Sequence, residues 1–197
     1  MEATLISYAL LSAEINTALI EQSIKEAIKN NLYSVISASF WCKKIARELK
    51  DTSTYNTCIV GHPYGQQLTE VKLFEAKKAI EMGAKEIILT LNTSAIKSGT
   101  FEWVKIEIAR FAKFLHEQEK LLGLYIATNY FSALENEKLI STAQSAGADY
   151  LLVPFDTIGL ERLRKSANLL GIKVLCGQEV RNLMADYPFI EEIVIKK

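Results

Sequence analysis

Short apolar runs alternate along the chain with longer segments that are apolar on one side only. The apolar runs lie near Thr4–Leu10, Ser34–Ala38, Thr57–Val60, Glu86–Asn92, Leu124–Thr128, Tyr150–Val153, Lys173–Cys176 and Glu192–Ile195. Continuous apolar strands suit a parallel sheet covered on both faces. Between them, Ile20, Ile24, Ala27 and Ile28 form one helical stripe, and Val104, Ile108, Phe111 and Leu115 form another. Gly83, Gly123, Gly147 and Gly171 each fall between such a segment and the next run. They read as left-handed residues that close helices.

Strand alternating with helix predicts an α/β fold. Eight such units in 197 residues fit a (β/α)₈ barrel, the TIM architecture, at its short limit of about 200 residues. The last strand stands two residues from Lys197, so the pattern predicts a barrel lacking its last helix. An open doubly wound sheet is the alternative. No Pro/Ser/Gly-rich linker divides the chain, and residues 1–197 read as one domain.

Composition narrows the partners. Lys+Arg and Asp+Glu both number 23, and charge gives no reason to expect nucleic acid or an anionic membrane. No apolar run approaches the ~20 residues of a membrane span. Cys42, Cys58 and Cys176 lack close spacing and read as reduced, buried thiols of a cytoplasmic protein. The start, Met1-Glu2-Ala3-Thr4, lacks the basic residues of a signal peptide. No phosphate-loop, dinucleotide-binding or metal-ligand spacing occurs, so neither cofactor nor metal is expected.

One block carries a family resemblance. Gly61-His62-Pro63-Tyr64-Gly65 is followed by Thr69-Glu70-Val71-Lys72 and Glu75-Ala76-Lys77-Lys78-Ala79-Ile80, then by Gly83-Ala84, Asn92 and Ala95-Ile96-Lys97-Ser98-Gly99. Ile6-Ser7-Tyr8-Ala9-Leu10-Leu11, Gly147-Ala148-Asp149 and Val180-Arg181 extend it. Together they resemble the deoxyribose-phosphate aldolases, class I enzymes that bond substrate through a lysine Schiff base. The resemblance implies a barrel with three reacting groups. They are a Schiff-base lysine on the sixth strand, a second lysine on the seventh that lowers the first one's pKa, and an aspartate on the fourth that shuttles protons. Those positions hold Leu152, Leu175 and Ile88. Aldol chemistry of this class needs an activated amine and a proton relay. Lys173 shares the parity of Leu175 but lies one pleat nearer the barrel floor.

The resemblance also implies a phosphate cradle of glycine N–H groups. Here Gln178-Glu179 replace a glycine pair and Asp156 replaces a single glycine. Two carboxylates then stand where a dianion would bind.

Other candidates face simpler readings. His62 is a rim histidine, either a polar rim residue or a functional one. Asn92 is a ligand-binding amide or a local turn former. Asp156 and Glu179 are an acidic pair or two solvated loop residues, and only His62 could add a third metal ligand. Tyr8, in the family's histidine position, binds ligand or fills core volume. His116 reads as solvated surface.

Three functional readings follow. The first is a catalytically inactive barrel that binds a ligand or partner, a reading that a mouth plugged by Tyr8, Phe155 and Leu152 would favour. The second is an enzyme of the same lineage using His62, Asp156 and Glu179. The third is a divergent aldolase with a displaced lysine. A homodimer is expected in each case, because the missing helix would bare the outer face between the first and eighth strands.

Overall fold

In the computed structural model, residues 5–156, 160, 170–177 and 183–197 are described. Eight parallel strands pair in sequence order and close into a barrel. They are β1 (Leu5–Leu10), β2 (Ser34–Ala38), β3 (Tyr55–Val60), β4 (Glu86–Thr90), β5 (Leu122–Tyr125), β6 (Tyr150–Pro154), β7 (Gly171–Cys176) and β8 (Glu192–Lys196). Among the described residues the helices are α1 (Thr17–Lys29), α2 (Ser39–Glu48), α3 (Thr69–Glu81), α4 (Thr93–Lys97), α5 (Phe101–His116), α6 (Ala133–Ala146) and α7 (Leu183–Asp186).

α1, α4 and α6 start where the sequence supplies a side-chain acceptor for their unpaired N–H groups. Asn16 accepts from the Leu19 amide at 3.1 Å. Ser132 and Glu135 form a reciprocal capping box at the start of α6.

Two of the four glycines depart from expectation. Gly83 and Gly147 take positive φ after α3 and α6. Gly123 and Gly171 instead lie inside β5 and β7. A Cβ on Gly123 would stand 2.3 Å from the Tyr150 ring, so this glycine makes room for the aromatic side chain of its register partner on the neighbouring strand β6. β5 begins two residues ahead of the expected Leu124, and Thr128–Tyr130 form a 3-10 turn.

Strand alternation separates two cores. Outward residues such as Cys58, Val60, Ile87, Leu89, Leu124, Leu151 and Val174 pack with α3, α5 and α6. Inward residues Ala9, Ile36, Ile59, Ile88, Tyr150, Leu152 and Val194 form a separate cluster inside the barrel.

The expected bare face between β1 and β8 is covered. Ile193 is buried, and Tyr187, Phe189 and Ile195 pack against the helix-side core. Lys197 lies across the Tyr8 ring and pairs with Glu26 of α1 at 2.7 Å. The surface offered as the cause of dimerisation is therefore closed by the chain itself. Exposed apolar side chains gather elsewhere, with Leu68, Val71 and Phe74 at α3 and Trp103 and Ile106 on α5.

Candidate functional site: the barrel interior and mouth

The interior is stacked in three levels, set by the pleat. The floor is polar. Lys173 sits 3.2 Å from the Glu86 carboxylate and 2.8 Å from that of Glu192. Tyr33 and Tyr150 both donate to Glu86, and the Lys173 ammonium stands 3.8 Å from the Tyr150 ring centroid. Ser7 and Ser34 hydroxyls meet at 2.9 Å beside them. Burial raises the Glu192 carboxyl above the usual range, Lys173 opposing and Glu86 reinforcing the shift. Burial and the same carboxylates push the Tyr150 hydroxyl well above its ordinary value.

The middle level is hydrocarbon. Ile88 and Leu152 have no exposed surface and share their cluster with Ile36, Ile59 and Val194, with Leu175 packed against it. The three positions singled out by the resemblance therefore converge, as strand parity predicts, and they converge as packed aliphatic side chains. Lys173 lies beneath this layer and is committed to two carboxylates. Freeing its amine would leave both carboxylates unpaired in a buried site, which is costly.

The mouth is the third level. Thr90 ends β4, faces inward one pleat above Ile88, and is paired in register with Tyr125. Its hydroxyl is buried without a hydrogen-bond partner among the described residues. The His62 ring lies 5.6 Å from the Tyr125 ring, and its Nδ1 is likewise buried without a partner among the described residues. Burial holds the imidazole pKa below its ordinary value, and the charge of Lys196 adds to that. His62 is therefore neutral at pH 7. Burial raises the Tyr125 hydroxyl, with Tyr130 adding. A cavity of about 10 Å³, room for one water, opens between Pro63, Thr90, Tyr125 and Phe131.

The other expected site residues are dispersed. Asn92 caps α4, its side-chain oxygen accepting from the Ala95 amide at 3.1 Å, the local role the sequence offered for it. Tyr8 faces α1, not the mouth. Phe155 follows β6 and is partly exposed, so of the three expected plugs only Leu152 fills the barrel. Asp156 is exposed at the end of β6, while Gln178 and Glu179 lie outside the described residues. His116 is on the surface, 3.0 Å from Asp149. Among the described residues no three His, Cys, Asp or Glu side chains converge on a metal position.

Sequence reasoning missed two lysines. Lys72 is fully buried behind the strands, donating to the Gly65 carbonyl at 2.8 Å and the Thr90 carbonyl at 3.3 Å and pairing with Glu107 at 2.7 Å. It ties the loop after β3 to the end of β4 and to α5. Gly65 is held so close to the Thr90 and Leu91 carbonyls that a Cβ would stand 2.4 Å from them. The block with the strongest resemblance is thus a structural weld. The second is Lys196. On β8, Glu192 and Val194 face inward, Lys196 follows the same parity, and it pairs in register with inward Ala9. Alternation along Glu192-Ile193-Val194-Ile195-Lys196 was the available signal.

No family model matches the chain. It is 34% identical over 146 residues to a deoxyribose-phosphate aldolase of Clostridium botulinum (strain Langeland), covering 74% of this chain and 68% of that protein. It is equally similar, at 34%, to the enzyme of that name from Lactococcus lactis subsp. cremoris, of whose length the match spans 66%, just under two thirds. A longer match, 27% identical over 185 residues, joins it to the Lactiplantibacillus plantarum deoxyribose-phosphate aldolase, covering 90% of this chain and 86% of that one. Among solved structures, the Aeropyrum pernix deoxyribose phosphate aldolase, described as a tetramer, superposes with a TM-score of 0.84 at 21% identity, covering 96% and 84% of the two chains. An aldolase called QR15 superposes with a TM-score of 0.86 at 20% identity, covering 96% and 88%. At those identities the structural likeness speaks for the barrel alone.

Proposed function

The chain belongs to the deoxyribose-phosphate aldolase family, and from that premise we propose that it is a member without Schiff-base aldol chemistry, whose barrel serves as a small-molecule binding scaffold. One observation carries this reading: Ile88, Leu152 and Leu175 pack together in an aliphatic layer that separates the interior lysine from the mouth. An imine needs a free amine in contact with the carbonyl, and a proton relay beside it. Hydrocarbon at all three positions supplies neither.

Residual binding rests on the mouth, where polar atoms of Thr90 and His62 are buried without partners among the described residues. Buried polar groups are ordinarily satisfied, so an inward hydroxyl and imidazole at the open end of a barrel favour a ligand-facing role. The three cysteines are buried as free thiols, which favours a reducing, cytoplasmic setting.

The test is turnover. Purified protein is incubated with deoxyribose 5-phosphate, and acetaldehyde release is followed with a coupled dehydrogenase. The expected rate equals that of buffer. Turnover that survives repurification and scales with protein concentration would contradict the reading.

A further inference from the structure

We propose that two copies of this chain pair through the outer face of α3 and α5, about a two-fold axis that passes through the Glu70–Arg110 ion pair. The face lies on the outside of the barrel, and its role is independent of any chemistry inside.

The face begins in the sequence. Leu68, Val71 and Phe74 recur at three-residue spacing at the start of α3, and Trp103 and Ile106 repeat that spacing on α5. Such positions share one side of a helix. The other sides are spent on the core, with Lys72, Ala76 and Ala79 of α3 and Val104, Ile108, Phe111 and Leu115 of α5 buried. The outer apolar residues are between 51% (Val71) and 72% (Leu68) exposed.

The two helices form one platform. Glu107 of α5 takes the Lys72 ammonium at 2.7 Å and the Thr69 hydroxyl at 3.0 Å, and Arg110 reaches Glu70 at 2.6 Å. A groove of about 350 Å³ lies between Leu68 and Thr69 on one side and Trp103 and Ile106 on the other, so the two apolar stripes adjoin. A contiguous apolar face of this kind is rarely left to water.

Charge selects the occupant. Glu70 and Arg110 are set among the apolar side chains, and Glu102 and Lys105 stand exposed beside Trp103 and Ile106. Farther along α3, Lys78 pairs with Glu81 at 2.6 Å. The signs alternate. A surface that meets its own copy cannot gather one sign without repelling itself, and this face gathers none. An anionic membrane or a strongly charged partner calls for a rim of one sign. A two-fold axis running between the helices, through Glu70 and Arg110, lays the α3 stripe of one copy on the α5 stripe of the other. It also sets each Glu70 carboxylate against the other copy's guanidinium.

Sedimentation equilibrium on the whole chain, from about 1 to 200 µM, is the first test. Wild type should approach twice 22.1 kDa. Phe74→Glu should weaken pairing at least about a hundredfold, since the change enters a two-fold interface twice. Leu134→Glu, at an exposed position on α6, should leave pairing within about twofold. Glu70→Arg places only guanidinium groups on the axis and Arg110→Glu only carboxylates, so each variant alone should pair about tenfold more weakly. Mixed one to one, these two variants restore both signs, and native mass spectrometry should find their heterodimer in excess of both homodimers. All four positions are exposed, and circular dichroism checks that each variant keeps its helices. A wild type still monomeric at about 200 µM, a dimer indifferent to Phe74→Glu, or a mixture without heterodimer excess would each overturn the proposal.

Discussion

Lys173 and Glu192 meet at 2.8 Å in the barrel floor, and Glu86 completes a buried group of one ammonium and two carboxylates. The group is held apart from the mouth by aliphatic side chains. Its weight is structural, and it sets the first prediction.

Lys173→Met should destabilise the protein by about 3–5 kcal/mol, because it leaves two buried carboxylates without their cation. The pH dependence has a definite sign. Glu192 already has a raised folded-state pKa, and losing Lys173 raises it further. A group raised in the folded state contributes stability that is complete below its unfolded pKa and lost as pH rises through the folded value. The variant should therefore lose stability relative to wild type as pH climbs from about 4 to neutrality. Urea unfolding across that range measures it, and a deficit independent of pH would show that the carboxylates do not depend on Lys173.

Restoring the lysine expected on β6 should not restore activity. Leu152→Lys places an amine among Ile36, Ile59, Ile88 and Val194, none of which can pair with it. We expect a loss of about 3 kcal/mol or more, with no retro-aldol turnover. Chemical denaturation and the acetaldehyde assay are the measurements. A variant as stable as wild type would mean that water reaches the middle layer.

Gly123→Ala should cost about 1–3 kcal/mol by overpacking, since the new methyl would stand 2.3 Å from the Tyr150 ring. Tyr150 donates to Glu86 at 3.1 Å, so moving the ring also disturbs the floor. Unchanged urea midpoints would show that Tyr150 has free space in which to shift.

The barrel was legible in the sequence because its signals are local: apolar runs of strand length, one-sided helices, and glycine after α3 and α6. The inward convergence of Ile88, Leu152 and Leu175 was legible for the same reason, since strand parity is a period of two. Gly123 was misread because its cause is Tyr150, a partner 27 residues away in sequence that no local pattern reveals. Lys72 was hidden likewise, since a lysine on a helix ordinarily points to water, and its partners come from Gly65, Thr90 and Glu107. Lys196 could have been found by parity. A lysine at a strand end looks like surface until β4 is known to stand across from it.

The central claim is that no lysine of this barrel forms a Schiff base. Borohydride trapping tests it directly: the protein is reduced in the presence of deoxyribose 5-phosphate, and separately of acetaldehyde, and its intact mass is measured beside an active aldolase of the family. The mass should remain that of the 22.1 kDa chain under conditions that label the active enzyme to completion with the phosphosugar. A single stoichiometric adduct, mapped by digestion to Lys173, Lys196 or any other interior lysine, would contradict the account.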